Sequence, residues 1–157
     1  MNIFIASADP TDAAEILALQ KSAYRSEARL NDDWTIPPLL QTLSEIEAEF
    51  ASKVFLKAVH EGRIVGSVRA AIDSGTCHIG RLIAHPEFQG KGIGTRLLAQ
   101  IEKAFPGARR FELFTGTLSA ANIRFYEKRG YRACREAVLT SRVRIVFLEK
   151  RAGEPPA

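Results

Sequence analysis

The sequence predicts an α+β fold: a mixed, mostly antiparallel central sheet with helices on both faces. Three observations predict it. Apolar strand-like runs at 54–59, 63–72 and 76–84 follow one another across two turn signals, His60-Glu61-Gly62 and Asp73-Ser74-Gly75, and so form successive antiparallel strands. Helical periods flank that block, with Ile16, Leu19 and Ala23 on a stripe before it and Ile93, Leu97, Leu98, Ile101 and Phe105 on a stripe after it. A glycine-rich segment, Gln89-Gly90-Lys91-Gly92-Ile93-Gly94, joins the third run to the helix that follows.

Taken in order, residues 2–6 (NIFIA) form a short strand. Asp9-Pro10-Thr11-Asp12 opens a helix, with Asp12 and Glu15 in capping-box spacing. The stretch LNDDWTIPP, 30–38, breaks the helical pattern, and its two prolines stop any helix there. Thr42-x-x-Glu45 and Ser44-x-x-Glu47 both read as capping boxes, so a second helix runs from near 43 to about 51. Three strands follow. Gly80, inside the third, weakens regular pairing and marks a bulge or a closely bound ligand. The helix after the glycine segment spans about 92–105 and ends at Pro106-Gly107. A strand at 110–115 leads to Ser119, which caps a helix ending at Gly130. Strands at 131–138 and 142–149 complete the order β-α-α-β-β-β-α-β-α-β-β. One domain, 1–150, and a flexible tail, 151–157, are expected.

Composition excludes several function classes. The 157 residues contain no apolar run of about 18, so no membrane association is expected. The N-terminal ten residues turn polar too soon for a signal peptide. Cys77 and Cys134 have no metal-ligand spacing and do not cluster with His60, His78 or His85, so no metal is expected. Two plain thiols fit a cytoplasmic location. The net charge of +4 is unevenly spread. Glu27, Asp32, Asp33, Glu45, Glu47 and Glu49 face a single base, Arg29, whereas Lys91, Arg96, Lys103, Arg109 and Arg110 face a single acid, Glu102. The basic stretch suits a polyphosphate, and the acidic one a cationic partner such as an amine. Solvated helix faces would account for the same charges. The bases are not interleaved with aromatics, so nucleic acid is not an expected partner.

The glycine segment carries the chemistry. Glycines at 90, 92 and 94 let the chain turn tightly, and a helix start presents unpaired N–H groups with a partial charge of about half an electron. Strand, glycine loop and helix start together make an anion cradle. It is neither GxxxxGK[ST] nor GxGxxG, since the third glycine of the latter would fall at Thr95 or Leu97.

Gln-x-x-Gly-x-Gly after a strand ending in His85-Pro86, together with SAANIRFYEKRGY at 119–131, resembles the two signatures of the GNAT family of N-acetyltransferases. The resemblance covers nearly the whole chain. It implies a GNAT-like acyl-CoA N-acyltransferase fold and transfer of acetyl from acetyl-CoA to a primary amine of a small molecule or peptide, by direct attack in a ternary complex. It further implies that pantetheine pairs with the backbone of Leu82, Ile83 and Ala84, and that pyrophosphate sits on the amides of Gln89, Gly90, Lys91, Gly92, Ile93, Gly94 and Thr95. Asn122 would reach the cofactor, although the family's usual asparagine place is Ser119 here, so either residue fits. Tyr126 matches the general acid. A phenol near ~10 can protonate a thiolate whose conjugate acid lies near ~8.5. His78 stands where the histone-modifying branch holds its base, and histidine titrates near neutral pH. Glu27 and Asp32, in the region where the family builds its acceptor site, are rivals for that role and candidate acceptor-binding residues; water alone is a further route. An oxyanion donor would come from a backbone N–H on 82–84 freed by a bulge. A homodimer is compatible with the family. The alternative class is a non-catalytic acyl-CoA-binding sensor, which Tyr126 argues against.

Overall fold

Seven strands join in one sheet in the computed structural model, which describes residues 2–153. They are β1 (Ile3–Ser7), β2 (Val54–His60), β3 (Arg63–Asp73), β4 (Thr76–Ala84), β5 (Arg110–Gly116), β6 (Arg132–Val138) and β7 (Arg144–Arg151), in the spatial order β1-β2-β3-β4-β5-β7-β6. Every neighbouring pair is antiparallel except β4 and β5. The expected mixed, mostly antiparallel sheet is therefore present. Both hairpin turns place two successive residues at positive φ, Glu61 (48°) with Gly62 (75°) and Ser74 (52°) with Gly75 (83°). That backbone matches the twist of the strands they join.

Helices cover both faces. Helix α1 (Ala13–Ala23) and α4 (Leu43–Glu49) lie on one face, where Ala13, Ile16, Leu19 and Ile46 pack with Phe55, Ile64 and Ile83. On the other face α5 (Ile93–Lys103) buries Ile93, Leu97, Leu98 and Ile101 against Val65, Val68, Cys77 and Ile79. Helix α6 (Ala120–Glu127) adds Tyr126 to that second core. Helix α5 packs directly over Gly66, where an added Cβ would stand 2.6 Å from Ile93 Cγ2 and 3.1 Å from Leu97 Cδ1. Gly66→Ala should therefore cost about 1–3 kcal/mol by overpacking, read as a lower urea midpoint at unchanged slope.

Two expectations need correction. The box expected at Asp12 and Glu15 forms one turn earlier. Asp9 accepts from Thr11 N, and Asp12 Oδ2 accepts from Asp9 N at 3.0 Å, closing a short 3₁₀ turn ahead of α1. Glu15 instead accepts from the amide of Ile64 at 2.8 Å, tying α1 to the sheet. The prolines of 30–38 do not abolish helix: α2 (Arg25–Asn31) precedes them, and Pro37 opens the single turn α3 (Pro37–Leu40). Proline is tolerated there because a first-turn N–H has no helical acceptor anyway. Strand β7 runs through Arg151, two residues past the expected 149, and residues 154–157 of the expected tail lie outside the described residues. The Thr42–Glu45 capping box is present as expected, with Glu45 Oε1 accepting from Thr42 N at 2.8 Å.

Candidate active site

Strand β4 is where the sheet opens. Its ladder with β5 contains only Thr76–Arg110, Cys77–Phe111 and His78–Glu112. Beyond His78 the strands diverge, so residues 79–84 have no ladder partner on the β5 side. A cleft of about 540 Å³ fills the gap. Its walls include Ile79–Ala84, Phe114–Gly116, Tyr126 and Asn122, and the α1–α2 residues Tyr24 and Glu27.

A bulge shapes this edge. Ser67 pairs with Ile83 and Arg69 with Gly80, so Arg81 and Leu82 together oppose the single residue Val68. The extra residue shifts the side-chain alternation: Cys77 and Ile79 pack on the α5 core before the bulge, Leu82 and Ala84 after it. Gly80, expected to mark the irregularity, is itself paired in the ladder; the left-handed residue is Arg81, at φ 50°.

The anion cradle follows. Gly90 (φ 77°) and Gly92 (φ 80°) are left-handed, and a Cβ on either would touch nothing, so it is backbone conformation that calls for glycine. Gly94 differs. It lies within α5, where a Cβ would stand 3.3 Å from Phe125 Cζ, so its role is to bring α5 and α6 together. The first helical bond of α5 runs from Arg96 N to Gly92 O, leaving the N–H groups of Ile93, Gly94 and Thr95 ahead of it. Arg129 stands beside them, stacked 3.7 Å over Phe125 and donating to Thr95 Oγ1 and Phe125 O. The sequence reading missed Arg129, which lies between the two halves of the α6 motif. Lys91 is exposed, and Gln89 lines the cleft.

Tyr126 is buried in the α5-side core, edge-on to Phe125 and Tyr131, with its side chain on the cleft wall. Burial, reinforced by Tyr24 and the Glu27 carboxylate, pushes its phenol well above the ordinary value. The group is thus a protonated donor across the physiological range. His78 also lines the cleft. It is half exposed, with Nδ1 3.8 Å from Glu112 Oε1. Glu112 is held in turn by Arg110 and Arg135; burial would raise its carboxyl, but the two guanidiniums keep it below the usual range.

Glu27, Ser119, Asn122 and Thr115 form one cluster. Ser119 Oγ donates to Glu27 Oε2 at 2.6 Å, and Asn122 Nδ2 donates to Thr115 Oγ1 at 3.3 Å and Glu27 Oε1 at 3.5 Å. Ser119 occupies the N-cap position of α6, but its hydroxyl makes no cap bond and goes to Glu27 instead. Of the two candidates for cofactor contact, Asn122 faces the cleft; Ser119 is buried behind it. Asp32 is not brought to the site. It ends α2 in a left-handed conformation and pairs with Arg142 at 2.9 Å on the surface. Asp33 accepts from Thr35 and Thr140, and Glu45 caps α4. The acidic stretch thus contributes Glu27 and Glu49 to the cleft and spends Asp32, Asp33 and Glu45 on structure.

A family model described as "Acetyltransferase (GNAT) family" matches residues 14–131. The chain belongs to that family. The split between β4 and β5, the bulge and the glycine-capped helix thus occur here in a GNAT fold. Solved structures agree with it in shape. The PaiA N-acetyltransferase of Thermoplasma acidophilum, in complex with coenzyme A, superposes with a TM-score of 0.80 over 96% of this chain and 99% of its own, at 18% identity. YncA of Salmonella typhimurium, with its cofactor acetyl-CoA, gives 0.76 over 100% and 98%, at 19% identity. Likeness at these identities shows the fold. Among curated relatives, UPF0157 protein YqkA of Bacillus subtilis (strain 168) is 27% identical over 128 residues, 82% of this chain and 37% of its own length. The chain spans 37%, 47% and 52% of the first three curated relatives.

Two GNAT-cleft residues went unnoticed in the sequence. Arg69 interrupts the apolar run 63–72 and is buried, bonded to Gln20, Gln41 and Glu49 at 2.8–3.0 Å. Arg81 is the bulge residue itself.

Proposed function

We propose that this GNAT domain transfers the acetyl group of acetyl-CoA to the primary amine of a small molecule or peptide. The observation that carries the reading is an unladdered β4 edge and a buried phenol on one cleft, with Gln89, at the entry to the glycine-capped α5 N-terminus, on its wall. The chain's own groups fit the cofactor. Peptide-like pantetheine would pair with the free edge at Leu82, Ile83 and Ala84, and the diphosphate would take the amides from Gln89 to Thr95 with charge from Lys91 and Arg129. Asn122 would reach the pantetheine arm. Acetyl-CoA supplies an activated acetyl group and a thiolate leaving group.

In this reading Glu27 orients the incoming amine, held in place by the Ser119 hydroxyl. A primary amine near ~10.4 is mostly protonated at neutral pH, so a proton must be removed before its lone pair is available. His78, on the cleft wall, takes that proton. The amine nitrogen bonds to the acetyl carbon as the carbon–sulfur bond breaks, and the excess proton left on that nitrogen passes to solvent. Tyr126 gives its proton to the departing sulfur, and solvent restores it. Backbone N–H groups at the bulge stabilise charge on the acetyl oxygen.

The test is free-thiol release from acetyl-CoA with and without a panel of primary amines, alongside coenzyme A calorimetry. Amine-dependent thiol release is expected. Tight coenzyme A binding with no amine-dependent release would instead favour a sensor.

A further inference from the structure

Two guanidiniums line the cleft, and they differ in one respect. Arg69 is satisfied by Gln20, Gln41 and Glu49. Arg81 has no carboxylate partner among the described residues; Tyr24 shares a side-chain hydrogen bond with it, and its buried Nε has no hydrogen-bond partner. Its guanidinium carbon stands 6.0 Å from the centre of the Tyr24 ring, at the junction of α1 and α2. Its backbone is left-handed at φ 50°, a conformation that costs free energy for a residue with a long side chain and persists where the surroundings enforce it. The bulge thus holds a strained arginine with its charge against the cleft.

Among the described residues no carboxylate forms an ion pair with that cation, and its side-chain partner is the Tyr24 phenol. Glu49 is shared between Arg69 at 3.0 Å and Lys53 at 2.7 Å. Glu27 is engaged by Ser119 and Asn122. Tyr24 lies between the two signs: burial raises its phenol, Arg81 and Arg69 pull it down, and Glu27 pushes it up. The cleft around Tyr24 therefore carries both signs of charge, an anion at Glu27 and a cation at Arg81. The cofactor's diphosphate is not the anion in question, because its cradle lies at the start of α5, on the opposite face of the sheet from Tyr24.

We propose that Arg81 is the carboxylate anchor of the acceptor site, so that the acceptor is an amino-acid-like zwitterion, its carboxylate on Arg81 and its amine toward Glu27 and Tyr126. A planar guanidinium matches a carboxylate in a two-point fork that an ammonium cannot reproduce. This assignment rests on the acetyl-transfer reading and narrows its substrate class.

The experiment compares an amino acid, its carboxamide and the corresponding simple amine as acceptors, with rates referred to the free-amine concentration. The acid should exceed its amide in kcat/KM by about 10- to 100-fold, the range for a charged hydrogen-bond pair. In Arg81→Asn that preference should collapse toward one. Asparagine tolerates the left-handed backbone, so the bulge is retained. Arg81→Lys should restore only part of the preference. Equal use of acid and amide by the wild-type protein would overturn the assignment. So would a loss in Arg81→Asn that is uniform across all three acceptors, which would mark Arg81 as a support of the reacting carbonyl or of the fold. If no acceptor is turned over, the acetyl-transfer reading fails separately, and calorimetry decides on Arg81. The coenzyme A-loaded wild-type protein should then bind the acid and not the amide, and Arg81→Asn should bind neither. Indistinguishable binding of acid and amide would refute the anchor.

Discussion

Replacing Tyr126 by phenylalanine is expected to lower kcat by about 10²- to 10³-fold, the usual contribution of one positioned proton donor, with little change in the KM for acetyl-CoA. The ring would stay in place, since its contacts are with Phe125 and Tyr131 and involve only the aromatic face and edge. Stability at neutral pH should therefore change little, and a thermal melt would separate a catalytic loss from a folding loss. Alkaline solution provides an independent readout. Burial holds the wild-type phenol protonated above its ordinary value, so the unfolded chain gives up that proton first. The unfolded state then binds fewer protons than the native one, and wild-type stability falls as pH rises past about 10. The phenylalanine variant should lose less over the same interval. An undiminished kcat would remove Tyr126 from the mechanism.

Local chemistry made much of this molecule legible beforehand. The two hairpins were readable because Glu61-Gly62 and Ser74-Gly75 are turn-forming pairs between β-rich runs, and strand pairing there is set within a dozen residues. The glycine loop and the SAANIRFYEKRGY helix were readable for the same reason, since each is one short segment with its own punctuation. What could not be read depends on partners far away in the chain. Glu27 and Ser119 are 92 positions apart, and Asp32 meets Arg142 across 110. No local pattern says that the first acid turns into the cleft and the second away from it. The bulge moved from Gly80 to Arg81 because its place is decided by the register of β3 against β4, whereas glycine content speaks only to local permissiveness. The prolines at 37 and 38 forbid continuing a helix but permit starting one, and the sequence does not say which applies. Arg69 did leave a trace: a single cation inside an apolar run of strand character calls for a buried partner, and the partners are Gln20, Gln41 and Glu49.

That cluster is where the largest loss of stability is expected. Arg69 is 3% exposed, and burial lowers its guanidinium to about 10 even with Glu49 beside it. It is the common donor to three side chains from α1, α4 and the segment between them, so it ties the helical layer to β3. Arg69→Met keeps the stem's volume but leaves Gln20 Oε1 without a donor and Glu49 with only Lys53 and Gln41. Breaking a buried pair from one side typically costs about 3–5 kcal/mol, because the surviving charge stays desolvated. Urea denaturation at neutral pH should show a loss of that order. The pH dependence identifies its source. Burial would raise the Glu49 carboxyl, but Lys53, Arg69 and Gln41 hold it below the usual range. A depressed carboxylate contributes stability above its unfolded value and loses it as pH falls through the folded one. The gap between wild type and Arg69→Met should therefore be widest near neutrality and narrow in acid, once Glu49 is protonated in both proteins. A gap that stayed constant with pH would assign the loss to packing of the arginine stem rather than to its charge. Because Gln41, Glu49 and Arg69 also line the cleft, the variant should lose acceptor kcat/KM before it loses acetyl-CoA binding.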